Sequence, residues 1–399
     1  MLSHPLPPSP ATEISILGLS THPAIEKRSY YLSVKSSNEL RVLDAKILAF
    51  QYLKELTSLH VEDCPNLMSF SFEGFRELLN LKILEIIRCG TLVPSSNMPT
   101  NAVSEDWKGT NCPALPRLRR LQIKSCGAIA GKWITEMLPH MQSLEELDTE
   151  DCPQIKSISI HRPRQDSASV SLASTLRCES VVPTRVTQDE FLFHIPLNVL
   201  STLEILCIRR FPTAELSSST EGFGGFTSLT KLDITDCPML LSSADERSSP
   251  FIRKRRYSLP PFLKELLVGG QDLQSLWLHS CMALDMLNIS NCRQLAELEG
   301  LQELSSLRVL SIELHPRGVE EGNHRTFQLP PSIEKLSIKY LRDETVPHLL
   351  GYLPCLSKLE VLDSPGLVSF QLGSLTSLKE LKIQRCGSLE SLQGFLPEL

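Results

Sequence analysis

One phrase, repeated along most of the chain, limits what it can fold into: Leu, two variable residues, Leu, one variable, an aliphatic, two variable, Cys, two variable, then Leu or Ile. It is complete at Leu56, Leu59, Val61, Cys64, Leu67; at Leu81, Leu84, Ile86, Cys89, Leu92; and at Leu118, Leu121, Ile123, Cys126, Ile129. It returns at Leu144, Leu147, Cys152, Ile155; Leu229, Leu232, Ile234, Cys237, Leu240; Leu284, Leu287, Ile289, Cys292, Leu295; and Leu378, Leu381, Ile383, Cys386, Leu389. Copies without the cysteine start at Leu203, Leu263, Leu307, Ile333 and Leu356. The leucine and aliphatic two positions apart make a short strand with one face inward. The flanking leucines turn the chain into a flat coil. One coil cannot bury its own apolar side, so coils must stack and their strands must form a long parallel sheet.

From Leu263 onward the starts are spaced 21, 23, 26, 23 and 22 residues, inside the period of leucine-rich repeats. Earlier spacings of 25, 37, 26, 59, 26 and 34 residues indicate the same unit with insertions. Composition agrees, since 69 of the 399 residues are leucine while aromatics are only 6%. The expected fold is an α/β leucine-rich-repeat solenoid, a horseshoe with a parallel concave β-sheet and an irregular or short-helical convex side. Residues 1–50 read as a divergent N-terminal segment of degenerate repeats, with hints at Ile14 and Ile16, at Leu40 and Leu43, and a helix-like stretch over 44–53. Residues 51–399 read as the solenoid, with loop insertions near 94–116, 156–196 and 242–261, polar stretches lacking the apolar residues that offset ordering entropy. The longest has room for one degenerate copy.

Cys64, Cys89, Cys126, Cys152, Cys237, Cys281, Cys292 and Cys386 follow a strand at one common offset. A thiol is a small hydrophobe with a weak donor, so the expectation is a buried structural column of free cysteines. Adjacent coils lie one strand spacing apart, which leaves disulfides open on distance alone, but a reducing compartment disfavours them. Zinc would want close pairs such as Cys-x-x-Cys, which the chain lacks, and no metal is expected. Cys281 belongs to a short copy, Leu273, Leu276, Leu278, Cys281, Leu284, that ends where the next begins; either Leu273–Leu278 lies on the back of the coil starting at Leu263, the favoured reading, or the coil itself is irregular.

The formal charge of −6, from 40 basic against 46 acidic residues, weighs against a nucleic-acid partner. The N-terminus lacks a secretory apolar stretch and no run reaches membrane-span length, so a cytoplasmic location is expected. The basic run Arg253–Arg256, read as an import signal, would add the nucleus; read blandly, it is a solvated loop. Ten histidines are scattered without a paired ligand motif, and there is neither a nucleophile elbow nor a phosphate loop. No catalytic residues, cofactor or enzyme activity are expected.

What remains is the open face. The variable residues flanking the strand aliphatics project from the concave sheet, and those read as partner-binding are His60, Glu62, Arg120, Lys124, Asp148, Glu150, Arg209, Lys231, Asp233, Trp277, Lys335 and Lys339. Acidic and basic bands alternate along the first half, which favours a protein partner with its own charge pattern. Trp277 is the best single anchor if its copy faces the concave side, and a cover for the core if it does not.

The lines at Leu56–Leu67 (LTSLHVEDCPNL), Leu229–Leu240 (LTKLDITDCPML) and Leu378–Leu392 (LKELKIQRCGSLESL), with Cys-Pro pairs at Cys64, Cys152 and Cys237 and Ser-Leu-Pro-Pro at Ser258–Pro261, resemble the C-terminal repeats of plant intracellular nucleotide-binding leucine-rich-repeat disease-resistance proteins. The likeness runs from about Leu53 to the C-terminus. It implies a recognition module of an innate immune receptor that binds a pathogen effector, a guarded host protein or the receptor's own switch domain. The upstream signalling domain and nucleotide switch of that family are absent from this sequence, so the implied role is the recognition end of a receptor or a repeat-only binder. An alternative is the substrate adaptor of an F-box-type ubiquitin ligase, whose repeats are more regular. An extracellular receptor would want a signal peptide and a Gly-x-Ile-Pro extension, neither of which is present.

Overall fold

A computed structural model describes residues 13–19, 29–38, 42–43 and most of 53–393, the longest stretches outside it being 91–114, 161–191, 242–257 and 314–327. Its centre is a 14-stranded sheet. In chain order the strands are β1 (Glu13–Leu19), β2 (Ser29–Lys35), β3 (Leu56–Glu62), β4 (Ile83–Ile87), β5 (Arg120–Lys124), β6 (Glu146–Glu150) and β7 (Ile205–Arg209). They continue as β8 (Lys231–Ile234), β9 (Glu265–Gly269), β10 (Met286–Ser290), β11 (Val309–Glu313), β12 (Lys335–Lys339), β13 (Lys358–Leu362) and β14 (Glu380–Gln384). Spatial order is chain order, and every pairing is parallel except that of β1 with β2.

The register explains the leucine spacing. Leu59, Leu84, Leu121, Leu147, Leu206, Leu232, Leu266, Leu287, Leu310, Leu336 and Leu359 are at most 1% exposed, and successive members are direct cross-strand partners. Each buried leucine contributes about 1.5–3 kcal/mol of transfer free energy. β14 has a neighbour on one side among the described residues, and its Leu381 and Ile383 are only partly buried.

Rungs end by a common device. The residue after most strands has positive φ: Asp63 (55°), Arg88 (51°), Ser125 (49°), Asp151 (53°), Arg210 (58°), Asn291 (53°), Tyr340 (60°), Asp363 (49°) and Arg385 (55°), and after β8 it is the second residue, Asp236 (57°). A left-handed residue turns the chain off the sheet and drops its successor into the core. Asp and Asn tolerate the conformation by bonding locally. The turn also extends the ladder, with the Asp63 N–H bonding Ile87 O at 3.1 Å and the Arg88 N–H bonding Lys124 O at 2.9 Å.

The convex side holds short parallel strands: Val42–Leu43 with Ser69–Phe70, Ser275–Trp277 with Glu297–Glu299, and Ser369–Gln371 with Ser391–Gln393. Between them run helical turns such as α1 (Leu197–Leu200), α2 (Pro238–Leu241) and α3 (Val346–Leu350). Phe75, Phe193, Phe211, Phe223, Phe226 and Phe370 fill this wider side of the core.

Several expectations are refined. In the stretch read as a loop over 156–196, Ser157–Ile160 and Leu192–Ile195 are strands of a three-stranded back sheet that also includes Glu215–Leu216. Among the described residues no concave strand comes from this stretch, and β6 and β7 are hydrogen-bonded neighbours, with Glu146 opposite Ile205. The strand Leu192–Ile195 instead buries Phe193 and Ile195 completely. Leu115 and Leu259, at the ends of the other two expected loops, are already core residues. Near the N-terminus, β1 with Ile14 and Ile16 runs antiparallel to β2, whose Leu32 and Val34 occupy the leucine and aliphatic positions of the phrase. Residues 44–52 of the expected helix-like stretch lie outside the described residues, as does the basic run Arg253–Arg256.

Candidate functional site

The thiols occupy the slot that the left-handed residue creates. Cys64, Cys89, Cys126, Cys152, Cys237 and Cys292 are buried and free, while Cys386 is partly exposed at the last described rung. Each sulfur reaches the carbonyl two residues back, as in Cys126 to Lys124 O at 3.2 Å and Cys292 to Ser290 O at 3.2 Å. Several also reach the preceding coil: Cys89 to Val61 O at 3.7 Å, Cys126 to Ile86 O at 3.6 Å and Cys237 to Ile208 O at 3.1 Å. Cys237 further accepts the Phe211 N–H at 3.4 Å. Ser364 fills the same slot one rung type later, donating to Leu362 O at 2.8 Å and accepting the Leu341 N–H at 3.0 Å. The slot is thus a hydrogen-bonding relay between coils, and burial pushes the thiols up to about 11 at Cys126 and about 12 at Cys152 and Cys237. Cys281 is not part of this column. It follows the back strand Ser275–Trp277 and faces Pro260 O at 3.9 Å, as its shortened spacing implies.

On the sheet's open face, the charged residues meet one another across rungs. His60 lies between Glu62 (3.1 Å) and Glu85 (3.0 Å), and Glu62 also bonds Lys35 at 3.0 Å and Arg88 at 2.6 Å. The His60 ring and the Lys35 ammonium hold the Glu62 carboxyl down at about 2, against an ordinary 4.5. Arg120 lies 3.9 Å from Glu85 and 3.4 Å from Glu146. Asp148, only 4% exposed, gathers Arg209 at 2.6 Å, Gln122 at 2.7 Å and Lys124 at 3.2 Å. Burial pushes the Asp148 carboxyl up, but Arg209 and Gln122 outweigh it and the net shift is downward. Arg209 reaches Glu150 at 3.5 Å and Asp233 at 3.7 Å, and Arg210 closes on Glu150 from the turn. Asp233 has fewer partners, so burial prevails and its carboxyl is raised. Lys231 pairs with Glu265 at 2.9 Å and Lys339 with Glu313 at 2.5 Å.

The structure therefore places all the expected face residues except one on strands of the central sheet. Trp277 lies on the back strand paired with Glu297–Glu299, on the convex side, its ring 6.4 Å from that of His279; the eleven-residue copy is too short to reach the concave sheet. Lys335 is exposed at the start of β12. The alternating bands have a local cause, since opposite charges on neighbouring strands pair laterally. Glu85 was missed because the copy at Leu81 otherwise reads as apolar, and its signal was its position two residues before the counterpart of Glu62. Cys207, opposite Asp148 and Asp233 in the ladder, was missed because its copy lacks the phrase's own cysteine.

On the flank where the strands begin, a cleft of about 620 Å³ sets Lys82, Arg117 and Arg119 beside Glu145 and Glu204. It is a mixed-charge surface without a cysteine or histidine. Among the described residues no three His, Cys, Asp or Glu side chains are placed to hold a metal ion, and no helix is long and apolar enough to cross a membrane.

No protein-family model and no curated protein matches the sequence. Among solved structures, an internalin from Listeria monocytogenes is 12% identical, covering 88% of this chain and 86% of its own, with a TM-score of 0.40. A leucine-rich-repeat protein from Leptospira interrogans is 16% identical over 90% of this chain and 76% of its own, with a TM-score of 0.46. A chain of the Toll–Spatzle complex of Drosophila is 14% identical over 93% of this chain and 50% of its own, with a TM-score of 0.45. Likenesses this low add no argument of their own; the stacked rungs, the leucine ladder and the thiol slot decide the fold. The chain is a leucine-rich-repeat solenoid. Arrays of this kind present an extended sheet face suited to protein–protein interaction.

Proposed function

We propose that the chain is the protein-recognition module of a plant innate immune receptor, binding a pathogen effector, a guarded host protein or the receptor's own switch domain, in the cytoplasm and without catalysis. One observation supports recognition over chemistry. The inward positions of the parallel rungs repeat leucine and an aliphatic residue, with Thr149 as the exception in β6, whereas the outward positions change from rung to rung along a continuous face. A scaffold built this way specifies shape once and leaves its surface free to encode a partner. The plant-receptor reading rests on the resemblance of the phrase itself, with its Cys-Pro turns.

Affinity capture from plant extract with the full chain tests the reading. The expected partner is a nucleotide-binding switch domain or an effector target. Recovery of a ubiquitin-ligase scaffold adaptor with no nucleotide-binding receptor domain would replace the reading with that of a substrate adaptor.

A further inference from the structure

The concave face is not uniform. Over β3–β8 its central column is His60, Glu85, Gln122, Asp148, Cys207 and Asp233, all but Cys207 held in the lateral lattice described above. At β13 and β14 charge returns with Glu360 and Lys382. Between them, over β9–β12, the central column is Leu267, Asn288, Ser311 and Ser337, each the direct cross-strand partner of the next. Beside it in the first column lie Met286 and Val309, also direct partners. All six side chains are partly exposed and none carries a charge. Asn288, Ser311 and Ser337 make no side-chain hydrogen bond among the described residues. The edges are charged: Glu265, paired with Lys231, and on the far side Lys335, which is exposed and pairs with no carboxylate among the described residues.

We infer that this uncharged window is the docking centre of the concave face, and that it takes a partner segment carrying an apolar side chain next to a carboxylate. The inference rests on the protein-recognition reading and specifies it. Interface centres are depleted of charge and rimmed by polar groups. A partner laid over β3–β8 would strip water from charges already paired with one another, which gains little. Laid over the window, it covers Leu267, Met286 and Val309 while Asn288, Ser311 and Ser337 offer unspent donors and acceptors to its backbone. Lys335, adjacent to Val309 in the ladder, supplies a charge at the edge that no described carboxylate neutralises, and its sign selects an acidic neighbour for the anchor. Three strand spacings span about 14 Å, room for one segment rather than a broad surface.

A phage-displayed random peptide library panned on the immobilised full chain tests this, with binding of enriched peptides read by fluorescence polarisation. The expected peptides carry Leu, Ile, Phe or Met beside Asp or Glu, and they weaken about tenfold or more on Ser311→Arg, which forces a charge into the centre. Lys335→Glu, at an exposed position, should weaken the same peptides and favour ones with Lys or Arg instead, so the test stands even if Ser311→Arg disturbs the fold. Peptides that bind both variants like the parent overturn the inference. If Arg209→Ala abolishes binding while Ser311→Arg does not, the docking centre moves to the lattice and only the recognition reading survives. A library that yields no enrichment, or peptides indifferent to every concave variant, removes both.

Discussion

Replacing Cys237 in turn by serine and alanine separates a hydrogen-bonding slot from a merely apolar one. Cys237 is 2% exposed; its sulfur donates to Ile208 O at 3.1 Å and accepts the Phe211 N–H at 3.4 Å. Alanine removes both contacts, leaving a buried N–H without its acceptor and a void the size of the sulfur. A buried backbone group left unsatisfied costs about 1–3 kcal/mol, and with the void the expected loss is about 2–3 kcal/mol. Serine keeps a donor and an acceptor, as Ser364 does with Leu362 O and the Leu341 N–H, and should lose about 1 kcal/mol or less. Urea titration followed by circular dichroism gives the ordering, parent above Ser above Ala. Because a solenoid can open rung by rung, amide exchange at Phe211 supplies a local reading: protection should fall sharply in Cys237→Ala and little in Cys237→Ser. An alanine variant as stable as the serine one, with Phe211 equally protected, would refute the relay and leave the column a matter of hydrophobic size.

Three further outcomes follow from the same geometry. Asp148→Asn leaves Arg209 and Lys124 with a neutral neighbour in the least exposed part of the lattice and should destabilise by about 2–4 kcal/mol in urea titration; adding Arg209→Gln should restore part of the loss, and a purely additive double variant would argue against the coupling. Glu62, held at about 2 against an ordinary 4.5, binds protons in the unfolded chain first, so its stabilisation is complete above about pH 4.5 and is lost as pH falls toward 2. Glu62→Gln should therefore show a flatter melting-temperature profile between those values, and parallel profiles would count against the pairing. Among the described cysteines, exposed Cys355 should react with iodoacetamide under native conditions well before Cys126, Cys152 and Cys237, whose thiols are buried and pushed up to about 11 or 12; early modification of that column, read by peptide mass spectrometry, would contradict the packing.

The phrase alone determined the rung. Leucine and aliphatic two residues apart, repeated at this period, specify a strand buried on one face, and a strand too short to be stable alone has to stack, so the leucine ladder, the buried thiols and the parallel sheet are legible in the sequence. The eleven-residue spacing before Leu284 favoured the back for Leu273–Leu278 without settling it. Three things were decided only in three dimensions. Leu192–Ile195 supplies a back strand beside Ser157–Ile160, and nothing local in Phe193 or Ile195 states which coil that is. The charges read as outward-facing handles are partners of one another, because pairing depends on which rungs become neighbours, a distance of 61 residues for Arg209 and Asp148. Trp277 lost its place on the concave face for a related reason. Periodicity specifies which side of a strand is buried, whereas the side of the solenoid on which that strand lies depends on how much chain remains to close the coil.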